Sequence, residues 1–98
     1  MVHYALLARV EAKAGKEEAV ENFLISALAL AQEEEGTVSW YALKISPSTF
    51  GIFDTFNDEE SREAHLSGKI AAALMEHADE LLSKPPLIEK VDLLAVKL

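Results

Sequence analysis

Apolar side chains recur along the chain with two spacings, which predict strands and helices in a definite order. β-Branched and aromatic runs that alternate with polar positions indicate strands, whereas apolar residues between positions 19 and 31 return every third or fourth residue, as on a helix face. Gly15, Ser46–Thr49 and the pair Pro85 and Pro86 separate these segments. The predicted elements are a strand over 2–11, a helix over 16–35, strands over 37–46 and 50–56, helices over 58–67 and 69–83, and a strand over 87–98.

This order of elements predicts an α+β fold. With right-handed crossovers it corresponds to the ferredoxin-like split βαβ arrangement (βαββαβ), in which four strands form an antiparallel sheet and the helices cover one face. The 98 residues contain no linker and no low-complexity segment, so we expect a single domain over residues 1–98.

The predicted strands are apolar on both faces. In the first strand Tyr4 and Leu6 alternate with Ala5 and Leu7, and the later strands behave in the same way. Because the helices cover only one face, the other face would expose a larger apolar patch than monomers usually do. A second copy stacked sheet against sheet would cover it, so we expect a homodimer. The alternative is that the first helix or the C-terminal tail folds over this face.

Composition and charge indicate which partners the protein does not bind and in which compartment it works. Nine Lys and Arg residues against seventeen Asp and Glu give a net charge of −8, which disfavours nucleic acid and anionic membranes. No apolar run approaches the roughly 20 residues of a membrane span, and no export signal is visible. The chain has no cysteine, which excludes thiol chemistry and suits a cytoplasmic protein.

The most distinctive part of the sequence is the stretch over residues 50–74. It predicts a strand, a helix start at Asp58, a short acidic helix that carries His65, a break, and a longer helix. His65 shares a helix face with the small residues Ser61 and Ala64, so it can lie at the mouth of a cavity, where it would polarise a phenol or accept its proton. The alternative is a half-buried histidine at a helix end.

Three further residues are candidates for a pocket. Trp40 and Tyr41 are adjacent in a strand and therefore point to opposite faces, and Trp40 is either a core residue or an aromatic wall for a planar ligand. Asp54 is a carboxylate in an otherwise apolar strand. It either serves a pocket or pairs with Lys44 or Arg9.

Metal and nucleotide chemistry find little support in the sequence. His65 and His77 lie twelve residues apart, roughly 120° around a helix, and do not converge on one metal. Neither HExxH nor a glycine-rich phosphate-binding motif occurs. The carboxylate run 33–35 is interpreted as a solvated helix end. We therefore expect no metal and no dedicated nucleotide or flavin cofactor.

Five parts of the chain carry a family resemblance: the opening strand and the segments GKEEAVENFL, EEGTVSWYAL, FGIFDTFNDEESREAHLSGKIAAAL and PLIEKVDLLAVKL. Through them, over nearly its whole length, the sequence resembles the antibiotic biosynthesis monooxygenase family. Its most specific part is the acidic-x-aromatic strand followed by a helix that ends in AHL. The resemblance implies a dimeric α/β barrel built from ferredoxin-like subunits.

The resemblance also implies an activity. Some family members oxidise quinols or phenols with molecular oxygen and without metal or flavin, because the protein need only deprotonate an electron-rich aromatic in a dry pocket. His65 matches the AHL histidine, Trp40 falls where members often carry a tyrosine, and Asp54 occupies the position of a common glutamate. The chain has SGK where many quinol-type members carry a second histidine. Met75 falls near the iron-binding histidine of haem-degrading relatives, so haem chemistry is disfavoured.

We therefore predict a cofactor-independent monooxygenase, an oxidoreductase acting on a small phenol, quinol or related aromatic. The predicted catalytic residue is His65, and the predicted substrate-binding residues are Trp40, Tyr41, Phe53, Asp54 and Met75. One alternative is a non-oxidative enzyme of the same fold, such as an isomerase. Another is a small-ligand-binding or structural dimer without turnover.

Overall fold

Four strands form one antiparallel sheet, and the helical segments lie on one face of it. In the computed structural model, which describes residues 2–98, the strand order is β2-β3-β1-β4. This is the predicted ferredoxin-like α+β fold, so that prediction is confirmed. The elements in chain order are β1 (Tyr4–Glu11), α1 (Glu17–Ser26), α2 (Leu28–Gln32), β2 (Thr37–Lys44), β3 (Thr49–Phe56), α3 (Glu59–Leu66), α4 (Lys69–Leu81) and β4 (Leu87–Asp92).

The helical segment between β1 and β2 is interrupted. The prediction of one continuous helix over 16–35 is wrong, because α1 and α2 are separate. The Ser26 hydroxyl donates to the Phe23 carbonyl at 2.7 Å, and the Ala27 amide is shared between the carbonyls of Phe23 and Leu24, at 3.1 and 3.2 Å. These bonds tighten the turn at this point. The apolar spacing nevertheless continues, since the buried residues are Val20, Leu24, Ala27 and Ala31.

The last strand is also shorter than predicted. The pattern predicted a strand over 87–98, but β4 ends at Asp92, which pairs with Tyr4, the first residue of β1. The Leu93 amide then donates to the His3 carbonyl at 2.7 Å. Beyond this point β1 offers no further partner, and a strand cannot continue without one. The segment that follows is a tail with two apolar side chains that are almost fully exposed, Leu94 and Leu98.

The two faces of the sheet have different surroundings. Val10 and Phe50 are opposite each other on β1 and β3, face the helices and belong to the buried core. The other face carries Leu7 opposite Phe53, and Tyr41 opposite Phe53 on the next strand. Tyr41 is 50% exposed, and its ring stacks on Phe53 with centroids 6.3 Å apart. The sheet therefore presents apolar side chains on its open face as well.

α4 is 13 residues long and buries one side against the core. Its buried residues are Ile70, Leu74 and Leu81. Met75 lies on the outer side of this helix and is 59% exposed. Throughout residues 2–98, every helix falls short of the length and apolar character that crossing a bilayer requires.

Arg62 fixes α3 against the sheet. Its buried guanidinium donates from Nη1 to the carbonyl oxygens of Ala5 and Val91, at 3.3 and 3.1 Å, and pairs with Glu59 on its own helix. Ala5 and Val91 belong to neighbouring strands, so one side chain ties the helix to both β1 and β4. His65 lies three residues further along α3, and Arg62 therefore sets where His65 meets the sheet.

Candidate functional site

His65 lies between two carboxylates. Its Nδ1 is 2.6 Å from Glu34 Oε1, and its Nε2 is 2.8 Å from Asp54 Oδ2. The side chain is 8% exposed, and its ring packs on Phe56 with centroids 5.4 Å apart. Both ring nitrogens are therefore occupied, one by a residue of the loop before β2 and the other by a residue of β3.

The short helix α3 places His65 at its C-terminal end. The helix begins after Asp58, whose side chain accepts a hydrogen bond from the Ser61 amide at 2.7 Å and so caps the first turn. After the helix the Gly68 amide donates to the His65 carbonyl at 3.0 Å. His65 is thus in the last turn, where the helix dipole favours a positive charge.

Glu34 reaches His65 from the loop between α2 and β2. Its Oε1 also accepts a hydrogen bond from Thr37 Oγ1 at 2.8 Å, so the carboxylate is held from two directions. This loop approaches α3 closely at Gly36, where a Cβ would lie 2.8 Å from Ser61 Oγ. A glycine at this position permits the approach. Sequence reasoning missed Glu34 as a site residue, since it reads as one of several solvated glutamates.

Of the two carboxylates that contact His65, Asp54 is the more buried, with a side chain that is 1% exposed. The register places it opposite Leu6 on β1 and Trp40 on β2. Its partner is His65, rather than Lys44, which pairs with Glu21. Although Oδ2 lies in ion-pair contact with Nε2, neither carboxylate oxygen receives a hydrogen bond of good geometry from any of residues 2–98. Oδ1 therefore remains available to a donor.

Burial and mutual contact shift the pKa values of both groups. Removal from water raises the pKa of Asp54, and the neighbouring His65 lowers it by less. For His65, burial disfavours the cation, but the contacts with Asp54 and Glu34 together outweigh burial and raise its pKa above the usual 6.5. The arrangement thus favours a protonated imidazole ring between its two carboxylate neighbours.

Two hollows adjoin His65 on different sides. The outer pocket, of about 330 Å³, lies between the α2–β2 loop and the joint of α3 with α4, and its lining includes Leu30, Glu34, Gly36, Ser61, Ala64 and Lys69. The inner cleft, of about 30 Å³, lies between the sheet and α3–α4, and its lining includes Leu6, Ile52, Asp54, Leu66, Ile70 and Ile88. The outer pocket has the size of a small-ligand site, whereas the inner cleft has room for only a few water-sized groups.

The other predicted site residues are divided between the faces of the sheet. Trp40 faces the helices beside Asp54 and is half-buried, and its Nε1 has no hydrogen-bond partner in the part of the chain that the structure describes. Tyr41 and Phe53 stack on the open face instead. Met75 is exposed on α4 and lines neither hollow. The structure therefore brings Asp54 to the histidine. It places Trp40 beside Asp54 on the same face of the sheet, in the lining of neither hollow, and the remaining three residues elsewhere.

Comparison with solved structures gives the relationship of this chain. The protein NE2512 of Nitrosomonas europaea, whose function is unknown, is 61% identical over 100% of this chain and 95% of its own, with a TM-score of 0.97. The chain belongs to the NE2512 family. No protein-family model and no curated protein matches the sequence.

More distant structures share the fold of this NE2512-family chain. An antibiotic biosynthesis monooxygenase matches 94% of this chain and 99% of its own, with a TM-score of 0.79 and 11% identity. A Bacteroides thetaiotaomicron protein of unknown function, named a possible oxidoreductase, matches 94% and 98% with a TM-score of 0.77 and 19% identity. The chain therefore has the antibiotic biosynthesis monooxygenase fold, as the sequence resemblance implied.

Proposed function

We propose that this protein oxidises a small phenol, quinol or related aromatic with molecular oxygen, without a cofactor, at the site formed by Asp54 and His65. One observation carries the proposal: a fully buried carboxylate with an available oxygen lies beside a histidine and faces an apolar cleft. The fold supports the same reading through the monooxygenase that shares it. Fold by itself does not select a reaction, so the site carries the argument.

Proton abstraction is the step that these side chains are suited to perform. Burial makes the Asp54 carboxylate a stronger base than an exposed one, and its Oδ1 is free to take the proton of a phenolic hydroxyl. The substrate O–H bond breaks and a carboxyl O–H bond forms. His65 has both nitrogens engaged, so it acts as the neighbouring cation that offsets the negative charge.

Molecular oxygen is the oxidant in the step that follows. The electron-rich phenolate transfers electrons to oxygen, one oxygen atom enters the product, and the other leaves as water with two hydrogens from the substrate. The protein contributes a water-poor, apolar setting in which the anion is reactive. Substrate entry requires the inner cleft to widen. Ile88 lines the cleft from the edge strand β4 and is 40% exposed, so we expect this wall to move when substrate enters.

Oxygen uptake with a panel of hydroquinones tests this function. The parent should consume oxygen, while Asp54→Asn should be slower by about 100-fold or more, the usual contribution of a positioned base. His65→Ala should also be slower, because Asp54 loses the neighbouring cation. Matched controls are His77→Ala, whose ring packs on Phe23 at 5.6 Å, and the exposed Asp79→Asn. If no quinol consumes oxygen, or Asp54→Asn is as fast as the parent, the proposal fails.

The small volume of the inner cleft favours one alternative, a structural or ligand-binding protein without turnover. The uptake experiment separates the two when it is combined with a binding measurement on the same quinols. Saturable binding without oxygen uptake would support the non-catalytic alternative. Conversion of a substrate without oxygen uptake would instead support a non-oxidative enzyme that uses the same Asp54 and His65.

We also propose that the chain acts as one domain and pairs with a second copy through the open face of the sheet. Tyr41 and Phe53 stack there and remain partly exposed, and the apolar tail after β4 is exposed as well. Burial of this surface would favour association. Sedimentation at micromolar concentration should show a dimer for the parent and a monomer for Tyr41→Glu. A monomeric parent would refute the proposed dimer.

We also propose a cytoplasmic location, which the cysteine-free composition suits.

A further inference from the structure

Glu34 differs from its neighbours in the run of glutamates at positions 33–35. Glu33 and Glu35 are exposed, whereas the Glu34 side chain is only 21% exposed and turns towards α3. Its Oε1 accepts from Thr37 Oγ1 and contacts His65 Nδ1. Glu34 and His65 are 31 positions apart in the sequence, and the carboxylate is held at two points. A glutamate that only solvates a helix end would make no such contacts.

We propose that Glu34 is the positioning residue of the site: it holds the imidazole of His65 protonated, with Nε2–H towards Asp54. The effect on turnover rests on the proposed function, whereas the effect on the ring itself does not. Glu34 would touch neither the substrate hydroxyl nor the Asp54 oxygen that receives the proton. Its influence passes through His65.

The chemistry of imidazole supports this role. A neutral ring has one N–H and one lone pair, so between two carboxylates one nitrogen would present its lone pair to a negative oxygen. A protonated ring presents an N–H on both sides and attracts both carboxylates. With Glu34 on Nδ1, the ring cannot turn away without losing the 2.6 Å contact. The orientation and the protonation of the His65 ring therefore both follow from the Glu34 side chain.

The other charges around the ring are few and lie on the outer side. The outer pocket carries Glu33 and Glu35 from the same loop, and Lys69 from the start of α4. On the inner side, the residues that line the cleft besides Asp54 and His65 are all apolar. Among residues 2–98, Glu34 and Asp54 are thus the two charged groups in direct contact with the ring, and the neighbouring glutamates provide matched controls.

A nuclear magnetic resonance titration of the histidine ring tests the inference without any substrate. In Glu34→Gln the pKa of His65 should fall by about one unit or more, the size of effect expected for an adjacent opposite charge. Glu33→Gln and Glu35→Gln should leave it close to the parent value, and His65→Gln identifies the resonances. An unchanged pKa in Glu34→Gln, or an equal fall in the two control variants, would overturn the inference.

The outer pocket allows a rescue experiment. In Glu34→Ala the truncated side chain leaves Nδ1 facing a pocket of about 330 Å³, which is large enough to admit formate. Added formate should raise the pKa of His65 back towards the parent value, whereas chloride at equal ionic strength should not. If formate and chloride act alike, a carboxylate at this position is not what holds the ring, and the inference is refuted.

The outcomes separate this inference from the proposed function. If no quinol is oxidised but the titration behaves as described, Glu34 positions His65 and only the assigned reaction falls. If quinols are oxidised while Glu34→Gln has the parent's pH–rate profile and an unchanged His65 titration, the function stands and the role of Glu34 is wrong.

Discussion

Replacing His65 with leucine should destabilise the protein chiefly through the carboxylate that it leaves behind. Leucine is similar in volume to histidine and fills the position against Phe56, so a large cavity does not arise. Asp54, however, is 1% exposed, and no other side chain forms an ion pair with it within residues 2–98. Its charge would remain buried and uncompensated.

The magnitude follows from the burial of that charge. Removal of one partner from a buried ion pair costs about 3–5 kcal/mol. In a domain of about 100 residues, each kcal/mol lowers Tm by about 4–8 °C, so we expect a decrease of about 12–40 °C near neutral pH. The penalty depends on the ionised form of Asp54. It is absent below the usual carboxyl pKa of 3.8 and develops as pH rises through the raised pKa of the folded state.

Urea and thermal unfolding, followed by circular dichroism and by the fluorescence of the single tryptophan, Trp40, measure this effect. His65→Leu should be much less stable than the parent at about pH 8, and the difference should shrink at about pH 4. The double variant Asp54→Leu/His65→Leu removes both charges and should recover most of the loss. A single variant as stable as the parent at about pH 8, or a double variant no better than the single, would refute the reasoning.

Further predictions concern the supports of the site. Arg62→Met keeps an apolar stem but removes the donors to two strand carbonyls, so urea unfolding should show that the free energy of unfolding falls by about 3 kcal/mol. An unchanged free energy of unfolding would contradict the role of Arg62 in holding α3 on the sheet. Gly36→Ala places a Cβ about 2.8 Å from Ser61 Oγ and should lower the free energy of unfolding by about 1–3 kcal/mol. Adding Ser61→Gly should recover part of this loss. If the double variant is no more stable than Gly36→Ala, the contact with Ser61 is not the cause. In the parent, the stability from protonated His65 is complete below pH 6.5 and is lost as pH rises through the raised folded pKa, so Tm should fall on the alkaline side. Scanning calorimetry should show a smaller fall in His65→Gln, and equal slopes would count against a raised pKa.

The fold could be predicted from the sequence because the signals for it are local. Alternating apolar residues, the glycine and proline breaks and the long apolar stripe of α4 each report on a single element. The two errors concern features that depend on other parts of the chain. The tail cannot continue β4 because β1 begins at Tyr4, and the break at Ala27 depends on competing hydrogen bonds rather than on a helix-breaking residue.

The candidate site could be predicted only in part. Asp54 stands out as a carboxylate in an otherwise apolar strand, and the alternation of β3 places it on the side of Ile52. His65 stands out as a histidine beside small residues on a short acidic helix. Their contact also requires the packing of α3 on the sheet, which no short pattern encodes. Glu34 gave no signal at all, because a glutamate that turns inwards reads in sequence like the solvated glutamates beside it.

The site depends on the placement of one short helix. α3 has eight residues, too few to be stable by itself in water, so its position comes from tertiary contacts. Arg62 holds its middle, Asp58 caps its start, and the carboxylates of Glu34 and Asp54 hold His65 at its end. The contacts that would set the acid–base chemistry are therefore also contacts that hold the helix in place. A variant that weakens one of these contacts should loosen α3 as well as change the site, which is why stability and titration of His65 must be measured on the same variants.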